Sequence, residues 1–437
     1  MPPTPQENAL LRDLHRRLGQ FALEPDHPFY VDVHDPVYDG VAGEDIVQQL
    51  QRDVAWSEAP SLSFMSGFRG AGKSTQLNRL ARQLDAEGYA VLKFDIEDYL
   101  ETRIPITAVH LVYALAAGAR DAAELKGWLE TGALASFRDR FFNWVKGLRV
   151  DGAATLSAPL SDWTGVEFEA TLRRDPTFRD ELGLFLHDRS LEVQKQADMF
   201  LGELQGAIRA DFVARGREWL GVVLIVDSLD HARSETQFQH VRDALREIFD
   251  LQVSLLRFDG IRTLFCVPPW LKPAGGTVRQ IFNVKVADRS GAAVQGGYAL
   301  LREILRCRLP VGLTAPGFLS PADHDRVVEL CGGHIRDFLR LLDDVVIRAA
   351  ALPATAGEVD RAVTQVRGDF LPLADDERVW LARIAVSHEL TLATQDDWEG
   401  LAGLLDRHLV LRYPNEETWY AVHPLIAGEL KASPPSL

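Results

Sequence analysis

The chain has 437 residues, 46% of them apolar, and a formal net charge of −16. That much apolar material can build a large core and excludes a wholly disordered chain, and the length predicts about two to four domains. The acidic balance excludes a general electrostatic pull toward nucleic acid or an anionic membrane, so either partner would need a local basic patch.

No apolar run approaches the roughly 20 residues that span a bilayer, so no membrane partner is expected. The start, Met1 to Asn8, has no basic segment followed by an apolar one, and no secretion signal is expected. Cys266, Cys307 and Cys331 are odd in number and scattered. They match neither a disulfide framework nor a zinc site, which predicts a reducing, cytoplasmic setting.

In chain order, residues 1–60 form an approach segment with a short helix over 9–18. Residues 62–65 predict a strand. Ser66 to Thr75 follows, reading Ser-Gly-Phe-Arg-Gly-Ala-Gly-Lys-Ser-Thr. Gly67, Gly72, Lys73 and Ser74 fit G-x-x-x-x-G-K-[ST], and Leu77, Leu80, Ala81 and Leu84 then recur at helical spacing. Strand, glycine loop and helix in that order make a phosphate cradle: glycines let the amides turn inward, and the helix start adds unsatisfied N–H groups. The cradle comprises Gly67, Phe68, Arg69, Gly70, Ala71, Gly72, Lys73, Ser74 and Thr75. Lys73 would reach the β- and γ-phosphates, and Ser74 would hold Mg²⁺.

A second strand is expected over 91–96, and a long, mostly helical insertion over about 100–215. Its last helix, 190–215, carries Gly202 and Gly206 as weak breaks. Residues 221–227 form an apolar third strand suited to a parallel sheet covered on both faces. A fourth is expected over 261–267 and a fifth over 281–286. Strands separated by helices predict an α/β fold with a parallel sheet. The core is placed at 61–289, a small helical domain at 290–352, and a last domain at 358–437. This last domain reads helix, helix, then a hairpin over 409–423.

A phosphate loop needs acids to position Mg²⁺ and water. Asp227, ending the third strand, is the Mg²⁺ candidate; Asp230 either orients water or caps the next helix. Asp95, ending a neighbouring strand, reads as structural or as a support for the residues that hold Mg²⁺. Arg336 follows Gly332-Gly333-His334-Ile335 at a helix start. It either reaches the γ-phosphate, coupling the helical domain to nucleotide state, or pairs at the surface with Asp337 or Asp343. Arg279 and Arg289 are candidates for a subunit contact or ordinary surface residues.

This arrangement resembles the additional-strand P-loop ATPases, the AAA+ group and the related STAND NTPases. Residues 67–75 match Walker A, residues 222–230 resemble Walker B, and residues 332–336 look like the sensor 2 region of the helical lid. The C-terminal helices and hairpin resemble the winged helix of origin-recognition ATPases and STAND proteins. The resemblance implies strand order 5-1-4-3-2, ATP with Mg²⁺ held between core and lid, and catalytic roles for Asp227, Asp230 and Arg336. It also carries a loose association with prokaryotic defence. Ser228 stands where many AAA+ proteins place a glutamate, so binding is the firmer expectation and hydrolysis the weaker.

The leading expectation is an ATP-dependent switch acting on a protein partner or on another copy of the chain. The rivals are an ATP-dependent DNA-binding protein of the origin-recognition type and a small-molecule kinase. A kinase does not explain an arginine-bearing lid followed by a winged helix. Against DNA stands the charge of residues 371–437, eleven acids and five bases, with Glu416 and Glu417 at the hairpin turn.

Overall fold

The computed structural model describes residues 4–129, 134–148, 156–158, 160–231, 238–391, 397–414 and 418–430, less the side chains of 238, 397 and 399. Glu416 and Glu417 lie outside the described residues. The chain forms two compact units, each discontinuous in sequence.

The first unit takes residues 47–66 and 79–280 and contains the sheet. Strands β1 (Ser61–Ser66), β2 (Tyr89–Asp95), β3 (Gly221–Asp227), β4 (Ile261–Val267) and β5 (Val278–Gln280) lie in the order β2-β3-β4-β1-β5, every pair parallel. From Val222 to Val226 every β3 residue is buried, as a strand covered on both faces requires. Phe64, Phe249 and Phe265 pack ring on ring beside it, with centroids 5.4–6.1 Å apart.

The insertion is helical, as its composition predicts. The alanine-rich helix Ala108–Leu125 packs against β2 and the helix Ser190–Ala214. Small residues permit the close approach: a Cβ on Gly118 would lie 2.5 Å from the Phe94 ring. Gly202 and Gly206 do not break Ser190–Ala214, because Ala197, Leu201, Leu204 and Ile208 anchor one buried stripe through that stretch.

The second unit takes residues 1–46, 67–78 and 281–437. Helices Pro5–Arg17, Gln295–Arg306, Pro321–Cys331, Ile335–Arg348 and Ala356–Gly368 share one core with the C-terminal elements. Leu14, Leu301, Leu342 and Leu425 are fully buried in it. The C-terminal elements are helices Asp375–Ser387 and Asp397–Asp406, followed by the antiparallel hairpin β6 (Val410–Tyr413) and β7 (Trp419–Val422).

One expected strand is corrected. Residues 281–286 lie outside the sheet, and the fifth strand is the short segment just before them. The reason is hydrogen bonding. Asn283 N–H goes to Arg412 O, Val284 N–H to Gly333 O and Lys285 N–H to Val41 O, so no single neighbour supplies a ladder.

Candidate functional site

β1 ends at Ser66, and the chain turns through Gly67–Gly72 into the helix Lys73–Glu87. Gly70 and Gly72 sit at φ +93° and +94°, in left-handed backbone that favours glycine. Ala71 N–H closes the turn on Phe68 O at 3.1 Å. Lys73 is buried, and its Nζ donates to Gly67 O at 2.8 Å and Phe68 O at 2.7 Å. The ammonium thus sits inside the curl of the loop. Ser74 and Thr75 are half-buried at the helix start, and Thr75 Oγ1 accepts Leu23 N–H at 3.1 Å.

The loop is held by the helix Ile335–Arg348. Gly333 precedes it at φ +76°, so close to Val284 O that a Cβ would overlap it. His334 caps the helix, and its Nε2 lies 3.0 Å from Arg69 O. Arg336 lies across Gly70, as a Cβ there would meet Arg336 Cβ at 2.5 Å and Nε at 2.8 Å. His15 Nδ1 lies 2.6 Å from Asp343, and Arg340 donates to Asp337 at 3.3 Å.

Sequence reasoning missed what surrounds Asp337. This carboxylate is buried, with Oδ2 2.8 Å from His334 Nδ1, 3.1 Å from His423 Nε2 and 3.6 Å from His408 Nε2. Burial pushes the Asp337 carboxyl up, but the His334 imidazole and its companions pull it net well below the ordinary range. Burial also drives His408 and His423 down toward their neutral forms. His408 stacks on Phe68 of the loop at 5.5 Å, and Tyr413 Oη donates to Gly332 O at 2.6 Å. Three histidines spaced by 74 and 15 residues leave no local pattern to read.

Asp227 and Asp230 belong to the sheet unit. Asp227 ends β3 in register with Asp95 at the end of β2. It accepts Ser228 N–H at 2.9 Å and lies 3.4 Å from Lys93 Nζ, a partner not expected from sequence. Ser228 adopts φ +67°, an uncommon non-glycine conformation at the carboxyl edge of the sheet, and donates its hydroxyl to Asp95 at 2.6 Å. Burial raises the Asp95 carboxyl above its ordinary value, against the hydrogen bonds from Ser228 and Glu97. Cys266 Sγ donates to Asp230 at 3.2 Å, and ligand atoms of Asp227, Asp230 and Cys266 lie within 4.8 Å of one another. Arg279 forms a two-pronged pair with Asp53, both contacts 2.7 Å, a structural role within the sheet unit.

Among the described residues no helix is long and apolar enough to cross a membrane. No protein-family model matches the chain, and no curated protein matches it. Among solved structures the chain is similar to the ORC2 protein of Aeropyrum pernix in its ADPNP and ADP complexes. That match has 10% identity and a TM-score of 0.37, covering 95% of this chain and 98% of that one. It is also similar to CDC6P from Pyrobaculum aerophilum, with 12% identity and a TM-score of 0.32, covering 92% and 96%. At these values neither likeness assigns a family, and function is read from the residues of this chain.

Proposed function

We propose that the chain binds Mg-ATP at residues 67–75, hydrolyses it slowly, and uses nucleotide state to change how its C-terminal region meets another protein or a second copy. The carrying observation is the double attachment of the helix Ile335–Arg348. His334 and Arg336 meet the loop at Arg69 and Gly70, while Asp337 meets His423 beyond the hairpin. A loop that adjusts to a triphosphate would therefore press on a helix tied to the C-terminal elements.

A buried ammonium inside a glycine curl, at a helix start, is a donor set suited to phosphate oxygens. In this reading Lys73 binds the β- and γ-phosphates and Ser74 and Asp227 hold Mg²⁺. Asp230 orients water, and Arg336 reads the γ-phosphate. Mg²⁺ supplies neutralisation of the phosphate charge.

The helix–helix–hairpin order of residues 375–422 supports a second reading, ATP-dependent binding of duplex DNA. The basic side chains there support a protein partner instead. Arg407 is paired with Glu377, and Arg378 donates to Glu429 O. Half-buried Arg412 lies over the rings of Phe282 and Tyr420.

Calorimetric titration with Mg-ATP, Mg-ADP and Mg-GTP tests the binding reading, which falls if none is bound. Duplex DNA is then titrated at several salt concentrations with and without ATP. Micromolar or tighter affinity that falls steeply with salt selects DNA; weak binding with little salt dependence selects a protein partner.

A further inference from the structure

We infer that a cavity in the helical insertion binds a small α-amino acid with an aliphatic side chain. The cavity lies within the sheet unit and has a volume of about 180 Å³. It is bounded by the start of the helix Ala108–Leu125, the end of the helix Pro176–Leu186 and the turn Glu247–Leu251. At about 30 Å³ per water that is the space of roughly six waters, about the size of a leucine molecule. The turn is π-helical, a rare form found often at functional sites: Gln252 N–H divides between Glu247 O at 3.1 Å and Ile248 O at 3.2 Å.

One part of the wall offers only donors. Ala108 and Val109 line the cavity and are buried, and their first-turn N–H groups have no acceptor among the described residues. His110, 1% exposed, takes the Thr107 N–H on Nδ1 at 3.1 Å, so its proton is on Nε2. Burial, and then the charge of Arg179, keep this ring neutral. The buried Nε2–H makes no hydrogen bond, although the Arg179 carbonyl is near. Its edge of the ring lies against the cavity wall. Gly183 and Thr107 line the cavity, and a Cβ on Gly183 would stand 3.6 Å from His110 Nε2 and 3.2 Å from Thr107 Cγ2. Unsatisfied N–H groups at a helix start, with a guanidinium close by, call for an anionic acceptor, and a carboxylate supplies two oxygens.

The rest of the wall carries the complement. Glu247 lines the cavity from the π turn, and Gln252 Nε2 donates to its carboxylate at 2.8 Å. That acid is a partner for an ammonium group. Ile106, Ile248 and Leu255 add buried apolar surface suited to an aliphatic side chain. Donors for a carboxylate, an acid for an ammonium and apolar surface together describe a zwitterion with an aliphatic group. Inorganic phosphate would meet the Glu247 carboxylate as a like charge, and a simple carboxylic acid would leave Glu247 without a counter-charge. This inference does not depend on nucleotide binding.

The test titrates the full chain, without nucleotide, with leucine, isoleucine and valine by calorimetry. One molecule per chain is expected for at least one of them, and no binding of any overturns the proposal. The tightest binder is then compared with its deaminated acid, which lacks the ammonium, and with its amide, which lacks the carboxylate. Each should bind weaker by about tenfold or more, and an analogue that binds as tightly overturns the zwitterion assignment. Inorganic phosphate should not compete; displacement of the amino acid by phosphate at equal concentration also overturns it. Ala244→Leu adds three carbons at a residue that lines the cavity, and Glu247→Gln removes the ammonium partner at an exposed position. Both should weaken binding by about tenfold or more while leaving the melting temperature of the unliganded protein close to wild type. Wild-type affinity in either variant overturns the site. Should Ala244→Leu fail to fold, Glu247→Gln decides.

Discussion

Arg336 lies across the α-carbon of Gly70, so close that a side chain on Gly70 would meet it at 2.5 Å. Gly70→Ala therefore faces two penalties, left-handed backbone at φ +93° and the collision with Arg336. Such backbone strain costs about 1–3 kcal/mol. The expected outcome is Mg-ATP affinity lower by about tenfold or more. Calorimetry checks this, with thermal denaturation of the apoprotein as the folding control. Wild-type affinity would show that the loop adopts another conformation when it binds.

Arg336→Ala should leave the fold intact, because the helix Ile335–Arg348 is held by Phe338, Leu341 and Leu342, all fully buried. What should disappear is the difference in shape between ATP-bound and ADP-bound protein. Small-angle scattering in both states measures it; an undiminished difference in the variant would remove Arg336 from the coupling.

Lys73→Ala removes a buried ammonium. A charge-assisted phosphate contact of about 1.5–3 kcal/mol predicts ATP binding weaker by about 10- to 100-fold. The variant also strands the carbonyls of Gly67 and Phe68, so a small fall in melting temperature should accompany the loss. Unchanged affinity would sink the assignment of the loop.

Asp227→Asn should weaken Mg²⁺-dependent ATP binding and stop turnover, and it removes the carboxylate that faces Lys93. Asp230→Asn should slow single-turnover hydrolysis far more than it weakens binding. If Asp230→Asn hydrolyses ATP at the wild-type rate, the role of that acid, which accepts from Cys266, is structural.

His110 predicts an acid-sensitive fold. Burial, and then the charge of Arg179, push its imidazole from 6.5 down to about 3. Its folded value is depressed, so between those two values the unfolded chain binds the extra proton. Stability is therefore present above pH 6.5 and lost as pH falls toward 3. From pH 6.5 to pH 5 this one group should cost about 2 kcal/mol. Urea melts across that range measure the slope. In His110→Asn the slope should be shallower by about one proton, and an identical slope would show that His110 is not the group responsible.

The readable parts of this chain were those whose pattern is local. The loop 67–75 announces itself because glycine spacing, Lys-Ser and the following helical stripe all occur within a few turns of chain. β3 is legible because a run of five apolar residues suits a strand buried on both faces. The hairpin and most insertion helices follow from period and turn chemistry in the same way.

What only the tertiary structure decided are pairings between distant segments. Residues 281–286 have the composition of a strand, but their N–H groups go to Arg412, Gly333 and Val41, and strand formation needs one continuous neighbour. Lys93 meets Asp227 because parallel pairing aligned the ends of β2 and β3. His334, His408 and His423 converge on Asp337 because one shared core folds the C-terminal elements onto the helix Ile335–Arg348. Period and turn chemistry act over a few residues, whereas the partner of a buried polar group is set by whichever segment packing brings within hydrogen-bond reach.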